Sequence, residues 1–163
     1  MWFGQADEVS VRADGTWPSA LVRAYEQHGA AFTQVAFMVL GSRAEAEEVV
    51  HEAVMATLRN WPQVREPVPY LRRAVVNGAR GVLRRREIAE RFRPDVPPPS
   101  APEQLVELRD LLLALPLRQR EALVLRFVAD LDDEETAAIL GCRRATVRSL
   151  VARGLTTIRK ELA

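Results

Sequence analysis

The carboxy-terminal segment collects the side chains of this sequence that are best suited to bind a polyanion. Residues 141–162 read GCRRATVRSLVARGLTTIRKEL, in which five arginines and one lysine accompany a single acid, Glu161. Salt-bridged surface helices usually interleave the two signs, so this one-sided charge indicates an anionic partner. Arginine can grip phosphate or fork onto guanine in the major groove, and serine and threonine hydroxyls can contact either.

A second basic run lies in the first half of the chain. Residues 72–93 contain eight arginines and two acids, Glu87 and Glu90, although the formal net charge of the whole chain is only +1. Taken alone, such a run is equally compatible with a solvated helix face. Together with the first basic segment it favours two points of contact with one polyanion, and DNA becomes the better interpretation.

Each basic segment is preceded by an acidic one. Residues 45–52 hold four glutamates with no lysine or arginine, and residues 130–135 hold three aspartates and two glutamates. Glutamates are ordinary residues of helix surfaces, so these clusters by themselves assign no partner.

The sequence gives little support to an enzyme. It contains no phosphate-binding glycine loop, no metal-ligand spacing and no nucleophile-base set. His51 and Glu52 begin like a zinc-protease motif, but Met55 stands where the second histidine is needed. We therefore expect no cofactor and no bound metal.

Cysteine content and hydropathy favour a cytoplasmic protein. Cys142 is the sole cysteine among 163 residues, so an intramolecular disulfide is excluded. The sequence shows no basic segment followed by an apolar core at its start, and no apolar run approaches the ~20 residues of a membrane helix. Membrane insertion is not expected.

Proline divides the chain into two predicted domains. Five of the ten prolines fall in RPDVPPPSAPEQ, residues 93–104, a composition typical of an extended linker. We predict two small helical domains, residues 1–93 and 105–163, joined by a proline-rich linker, residues 94–104. Since no strand signal occurs, the predicted fold class is all-α.

Helical periodicity predicts three or four helices before the linker. Thr16 can cap a helix that begins near Pro18, and Ser42, with Glu45 three residues later, can cap a second that ends near Trp61. A third helix is expected from Tyr70, with its arginines away from an apolar side.

The second domain ends in a predicted helix-turn-helix. Two amphipathic helices separated at Pro116 come first, and DDEETAAILGCRRATVRSLVARG follows with a short helix, a turn at Gly141 and a second helix. Glycine supplies the positive backbone angle of the turn, and Leu140, Val147 and Val151 are expected to face the core. The basic segment would then be a recognition helix.

LPLRQREALVLRFVADLDDEETAAILGCRRATVRSLVARGLTTIRKEL resembles region 4 of the extracytoplasmic-function sigma factors, small initiation subunits of bacterial RNA polymerase in the sigma-70 family. GSRAEAEEVVHEAVMATLRNW and PVPYLRRAVVNGARGVLRRR resemble region 2 of the same family. The two blocks occur in the family's order with the expected linker between them. The resemblance implies a sigma factor that has no catalytic activity, brings core polymerase to promoters and assists their melting.

The resemblance also implies site residues. The core polymerase contact corresponds to Glu48, His51 and Glu52. Reading of the -10 element corresponds to Asn77 as base reader, with Arg73, Arg80, Arg84, Arg85 and Arg86 as backbone contacts. Reading of the -35 element corresponds to Arg144, Thr146, Arg148, Ser149 and Arg153. Core RNA polymerase and promoter DNA are the implied partners, and an anti-sigma protein is a further partner common in the family.

This chain departs from the family pattern at several of these positions. In the core-binding helix, His51 replaces glutamine, Val54 and Leu58 replace large aromatics, and Thr57 replaces a small residue. In the recognition helix, Arg143 replaces the usual serine cap, and Leu150 replaces an arginine. On an outward face, Leu150 would touch a thymine methyl group.

The alternative to a sigma factor is an autonomous helix-turn-helix regulator, which would normally dimerise and bind a palindrome. Dependence on polymerase distinguishes the two.

Overall fold

The computed structural model describes residues 17–90 and 103–163, and within these ranges every regular element is helical. The α-helices, in chain order, are α1 (Ser19–Leu40), α2 (Arg43–Arg59), α3 (Pro67–Glu90), α4 (Glu103–Leu113), α5 (Leu117–Leu123), α6 (Asp133–Leu140) and α7 (Arg144–Leu162). A 3-10 turn, Trp61–Gln63, follows α2, and a π-type turn, Val124–Val128, extends α5. The predicted all-α class is confirmed.

Most helix boundaries agree with those predicted from the capping residues and prolines. Pro116 directly precedes α5, and the Ser42 hydroxyl accepts a hydrogen bond from the Glu45 amide at 3.4 Å, as expected for its cap. Helix α3 begins at Pro67, three residues before the predicted start at Tyr70. Proline fits the first turn of a helix because the amide it lacks has no partner there.

The predicted linker is only partly within the described residues. Its last two residues, 103 and 104, already belong to α4, so the helix begins earlier than predicted. Residues 91–102 and the proposed cap Thr16 lie outside the described residues.

Helices α1, α2 and α3 form an amino-terminal bundle. Its core contains Leu21, Phe32, Leu58 and Leu71, each at most 2% exposed. Six consecutive residues of α1, 35–40, are all buried. A helix that is buried on every side must be covered by more than one neighbour, so the end of α1 is enclosed rather than lying at the surface.

Helices α4 to α7 form a carboxy-terminal bundle that ends in the helix-turn-helix. Asp132 and Glu135 form a reciprocal capping box at the start of α6, and Gly141 ends that helix with φ 62°. Leu140 and Val147 are buried as predicted. Helix α7 lies so close to α5 that a Cβ atom at Gly154 would be only 2.8 Å from Leu123 Cδ1.

The two bundles pack together around the carboxyl end of α1. The buried Arg120 side chain donates from Nη1 to the Val39 carbonyl at 2.6 Å and from Nε to the Leu112 carbonyl at 3.0 Å. Arg86 of α3 donates to the Leu40 carbonyl at 2.9 Å. Burial lowers the pKa of Arg120, an effect that the neighbouring Glu121 carboxylate opposes. Guanidinium groups from α3 and α5 thus satisfy the last carbonyls of α1.

Two glycines in similar left-handed conformations provide a test of the packing between Gly41, at the end of α1, and Leu113 of α4. Gly41 (φ 77°) and Gly141 (φ 62°) differ in surroundings: a Cβ at Gly41 would lie 2.7 Å from Leu113 Cδ1, whereas nothing lies within 4 Å at Gly141. Gly141→Ala should lower the free energy of unfolding by about 1 kcal/mol, from backbone strain partly offset in the unfolded chain. Gly41→Ala should lose about 0.5–1.5 kcal/mol more, the cost of displacing the Leu113 side chain from its rotamer. Urea denaturation measures both.

The excess loss should disappear when Gly41→Ala is made in a Leu113→Ala background and is compared with Leu113→Ala alone, since the shortened side chain removes the clash. Equal losses for the two glycine variants would contradict the packing of α4 against the end of α1.

Candidate nucleic-acid interface

The recognition helix α7 presents all of its predicted DNA contacts to solvent. Helical periodicity places them in two rows that flank an exposed face. Arg144 and Arg148 form the row nearer α6. Thr146, Ser149 and Arg153 form the other row. All five side chains are exposed, so the structure brings this predicted set together on one surface.

Leu150 does not belong to that surface. It is only 7% exposed and lies in the hydrophobic core with Leu123 and Leu140. The prediction that Leu150 touches a thymine methyl group is therefore wrong, because its position on the helix faces the bundle. Arg143 stands at the N-cap of α7 without a side-chain capping bond.

The row nearer α6 is paired with acids of that helix. Arg148 Nε donates to Asp133 Oδ2 at 2.8 Å, and Arg126 Nε lies 3.2 Å from Asp133 Oδ1. Arg144 and Glu134 make a looser pair, with 3.8 Å between the nearest nitrogen and oxygen. The hydrogen bond from Arg148, with a smaller attraction from Arg126, lowers the pKa of Asp133.

Four of the predicted -10 residues occupy one face of α3. Arg73, Asn77, Arg80 and Arg84 follow one another at intervals of four, three and four residues, which places them in one row. Arg73, Asn77 and Arg84 are exposed, whereas Arg80 is partly buried. The row is therefore available to a ligand at three of its four positions.

Arg80 is engaged by the carboxy-terminal bundle. Its guanidinium makes a two-point pair with Glu121 of α5: Nη2 donates to Oε2 at 2.9 Å, and Nε donates to Oε1. The Glu121 side chain is fully buried, and that of Arg80 is 23% exposed. Nearby, burial lowers the pKa of Arg72, and the charge of Glu135 on α6 opposes that shift. Helix α3 therefore faces α5 and α6 in this conformation.

The other two predicted -10 arginines lie elsewhere. Arg86 pairs with Glu45 as well as with the end of α1, and its side chain is 33% exposed. Arg85 lines a groove of about 370 Å³ between α2 and α3. The structure therefore separates Arg85 and Arg86 from the row that contains Asn77.

The predicted polymerase-binding residues lie on the exposed side of α2. Glu48, His51 and Glu52 are all exposed, and the two glutamates also line the groove beside Arg85. Their placement is consistent with one acidic surface for a protein partner.

Three of the departures in α2 lie inside the bundle. Val54, Thr57 and Leu58 are at most 5% exposed, and the Thr57 hydroxyl donates to the Ala53 carbonyl at 2.7 Å. These positions change how the core is filled. Among the four departures in α2, His51 alone lies on the exposed surface.

Sequence reasoning missed the residues that join the two bundles. Arg120 and Glu121 are buried although both carry charge. The signal was present in LRQREALVL, where two charged residues occupy positions that continue the apolar period of Leu117, Val124 and Leu125. Charged residues there indicate buried polar partners.

Neither a metal centre nor a membrane span is found in the part of the chain that the structure describes. No three histidine, cysteine, aspartate or glutamate side chains of residues 17–90 and 103–163 gather as metal ligands. Within the same ranges, no helix combines the length and apolar character needed to cross a bilayer.

Comparison with known proteins identifies both halves of the chain. The family model described as Sigma-70 region 2 matches residues 24–88, and the model described as Sigma-70, region 4 matches residues 105–158. The RNA polymerase sigma-E factor of Streptomyces coelicolor is 32% identical over 127 residues, 72% of each protein. The ECF RNA polymerase sigma factor SigD of Mycobacterium tuberculosis is 30% identical over 137 residues, 74% of this chain and 65% of SigD.

Solved structures share the fold. The sigma factor RpoE of Bartonella quintana, in complex with the anti-sigma factor NepR, superposes with a TM-score of 0.76 at 19% identity over 89% of this chain and 98% of RpoE. CnrH, solved with the cytosolic domain of CnrY, gives a TM-score of 0.72 at 22% identity over 88% of each chain.

The pairing of Asp133 with Arg148 should be detectable in the pKa of the Asp133 carboxyl group. Asp133 should titrate below its ordinary pKa of 3.8, because Arg148 stabilises the carboxylate. Its contribution to stability is complete above the unfolded pKa and is lost as the pH falls through the lower folded pKa. Arg148→Ala should raise the pKa toward the ordinary value, measured by carboxyl NMR shifts against pH. Arg153→Ala is the control, and an unchanged Asp133 pKa in Arg148→Ala would contradict the pairing.

Proposed function

Because this chain belongs to the extracytoplasmic-function group of the sigma-70 family of RNA polymerase sigma factors, we propose that three of its surfaces direct core polymerase to promoters. The exposed side of α2 binds the polymerase, the Asn77 row of α3 reads the -10 element and assists melting, and α7 reads the -35 element. The matched ranges 24–88 and 105–158 support the division into domains 1–93 and 105–163. The protein has no reaction of its own and acts in the cytoplasm, with the polymerase and DNA.

The observation that carries this proposal is the exposure of two basic surfaces on two different helices. Arg73, Asn77 and Arg84 of α3 and the five candidates of α7 are all exposed. Exposed arginines on a helix of a helix-turn-helix suit the major groove of duplex DNA. A second exposed basic surface, on α3, suits a second element of the same promoter.

The described conformation leaves one part of the -10 surface covered. Glu121 occupies the Nε–Nη2 edge of Arg80, so this edge cannot make a two-point contact with a phosphate in the described conformation. A two-point phosphate contact through that edge therefore requires α3 and α5 to separate. The structure of RpoE contains the anti-sigma factor NepR, and we propose that a protein of this class also binds the present chain.

The autonomous regulator remains the alternative of a different class. It would need only the helix-turn-helix, whereas residues 24–88 match Sigma-70 region 2 and carry the acidic surface. The comparison therefore favours the sigma factor.

Transcription with purified core polymerase tests the function and separates the two DNA surfaces. With the wild-type chain, run-off transcripts should appear from a promoter library, and none should appear without it. Arg153→Ala should weaken dependence on the -35 element, by about 1–3 kcal/mol for a bidentate base contact and less for phosphate. Asn77→Ala should retain that dependence and lower the yield of open complex, measured by permanganate reactivity.

The contrary result is equally clear. A chain that produces no transcript with polymerase, but binds a palindrome as a dimer, would replace the sigma factor with the autonomous regulator. Identical defects in the two variants would contradict the separate roles of α3 and α7.

Charge reversal on α2 tests the polymerase-binding surface. Glu48→Lys combined with Glu52→Lys should weaken capture of core polymerase in a pull-down, because the acidic surface becomes basic. The matched control, Glu26→Lys combined with Glu107→Lys, makes the same change in net charge at exposed positions of α1 and α4. Circular dichroism should show unchanged helicity in both. Equal capture by the two double variants would overturn the assignment to α2.

A further inference from the structure

Three charged residues at the start of the helix-turn-helix form a connected set, Arg126–Asp133–Arg148. Each oxygen of the Asp133 carboxylate is used by a different arginine: Oδ1 lies 3.2 Å from Arg126 Nε, and Oδ2 accepts from Arg148 Nε at 2.8 Å. The Asp133 side chain is 25% exposed, whereas that of Arg148 is 70% exposed. The carboxylate therefore lies between a more sheltered arginine and one that projects into solvent.

The Asp133 carboxylate is held in place before Arg148 meets any ligand. Asp133 follows the N-cap Asp132, whose capping box with Glu135 fixes the first turn of α6. Arg126, on the other side, also donates from Nη1 to the Leu131 carbonyl. The capping box and Arg126 together hold the Asp133 carboxylate, which is therefore a fixed hydrogen-bond acceptor for Arg148.

This acceptor leaves the recognition edge of Arg148 available. The hydrogen bond to Asp133 uses Nε, so the two terminal nitrogens can form the two parallel bonds that guanine O6 and N7 accept. Holding a long side chain in advance also reduces the entropy lost on binding. In addition, the carboxylate offsets part of the positive charge of Arg148 and so favours a base contact over phosphate.

The geometry points to Asp133 as a positioning residue, which holds Arg148 for a bidentate contact to one guanine of the -35 element. This inference rests on the proposed function of α7.

Two other arginines of α7, Arg144 and Arg153, lack this arrangement. Arg144 lies 3.8 Å from Glu134, with both side chains more than half exposed. Arg153 Nε donates to the Ser149 carbonyl of its own helix. Glu134 is thus a neighbouring acid of the same charge with a looser arginine contact, and it provides the matched control.

The experiment uses the full chain with core polymerase and a promoter library randomised through the -35 element. The wild type should prefer guanine at one position by about 5- to 150-fold, the range for a bidentate arginine contact. Asp133→Asn should reduce the preference at that position toward the level of Arg148→Lys, which keeps the charge but loses the fork. Glu134→Gln should leave it unchanged.

A purely structural role for Asp133 predicts a different result. Transcription by Asp133→Asn would then fall on all templates alike, with a lower melting temperature and the guanine preference retained. Asp133→Asn should instead keep or increase transcription from non-preferred templates, because an acid near phosphate has been neutralised. Retention of the full preference by Asp133→Asn would overturn the inference. Absence of any polymerase-dependent transcript from the wild type would instead overturn the proposed function.

Discussion

The carboxyl end of α1 is the point on which the arrangement of the chain depends. Its carbonyl groups carry the negative end of a helix dipole into a buried site, where they need donors. Arg86 supplies one guanidinium from α3, and Arg120 supplies another from α5. Arg120 also bonds the carbonyls that end α4. Two arginines therefore fix the amino-terminal helices and the first helices of the carboxy-terminal bundle around one helix terminus.

Adjacent residues of α5 serve the two bundles in complementary ways. Arg120 gives its hydrogen bonds to main-chain carbonyls, while Glu121 accepts from the side chain of Arg80. Both are buried charges, and a buried charge costs free energy unless it is paired. Hydrogen bonds and ion pairs require a particular orientation of donor and acceptor, whereas apolar contacts do not. Arg120 and Glu121 therefore select one orientation of the two bundles relative to each other.

Local features of this chain were predictable, and features that depend on distant partners were not. The turn at Gly141 and the cap at Ser42 follow from residues within one turn of each other, and the sequence alone predicts them. The exposure of the recognition helix follows from its period. The roles of Glu121 and Asp133 depend on arginines 41 and 15 residues away, and no local pattern records those pairs. Leu150 matches a family arginine in alignment, but the period of α7 places it on the buried face of that helix.

The pair of Arg80 and Glu121 makes two equilibria of this protein interdependent. The Nε–Nη2 edge of Arg80 cannot bind Glu121 and a phosphate at once, so, with the DNA role proposed for this residue, the closed and DNA-bound forms compete for that edge. Thermodynamic reciprocity then requires that whatever parts α3 from α5 raises affinity at the -10 surface, and that DNA bound there shifts the population toward the parted form by the same factor. With the role proposed for Arg80, affinity at the -10 surface would then depend on how firmly a partner holds the two bundles apart.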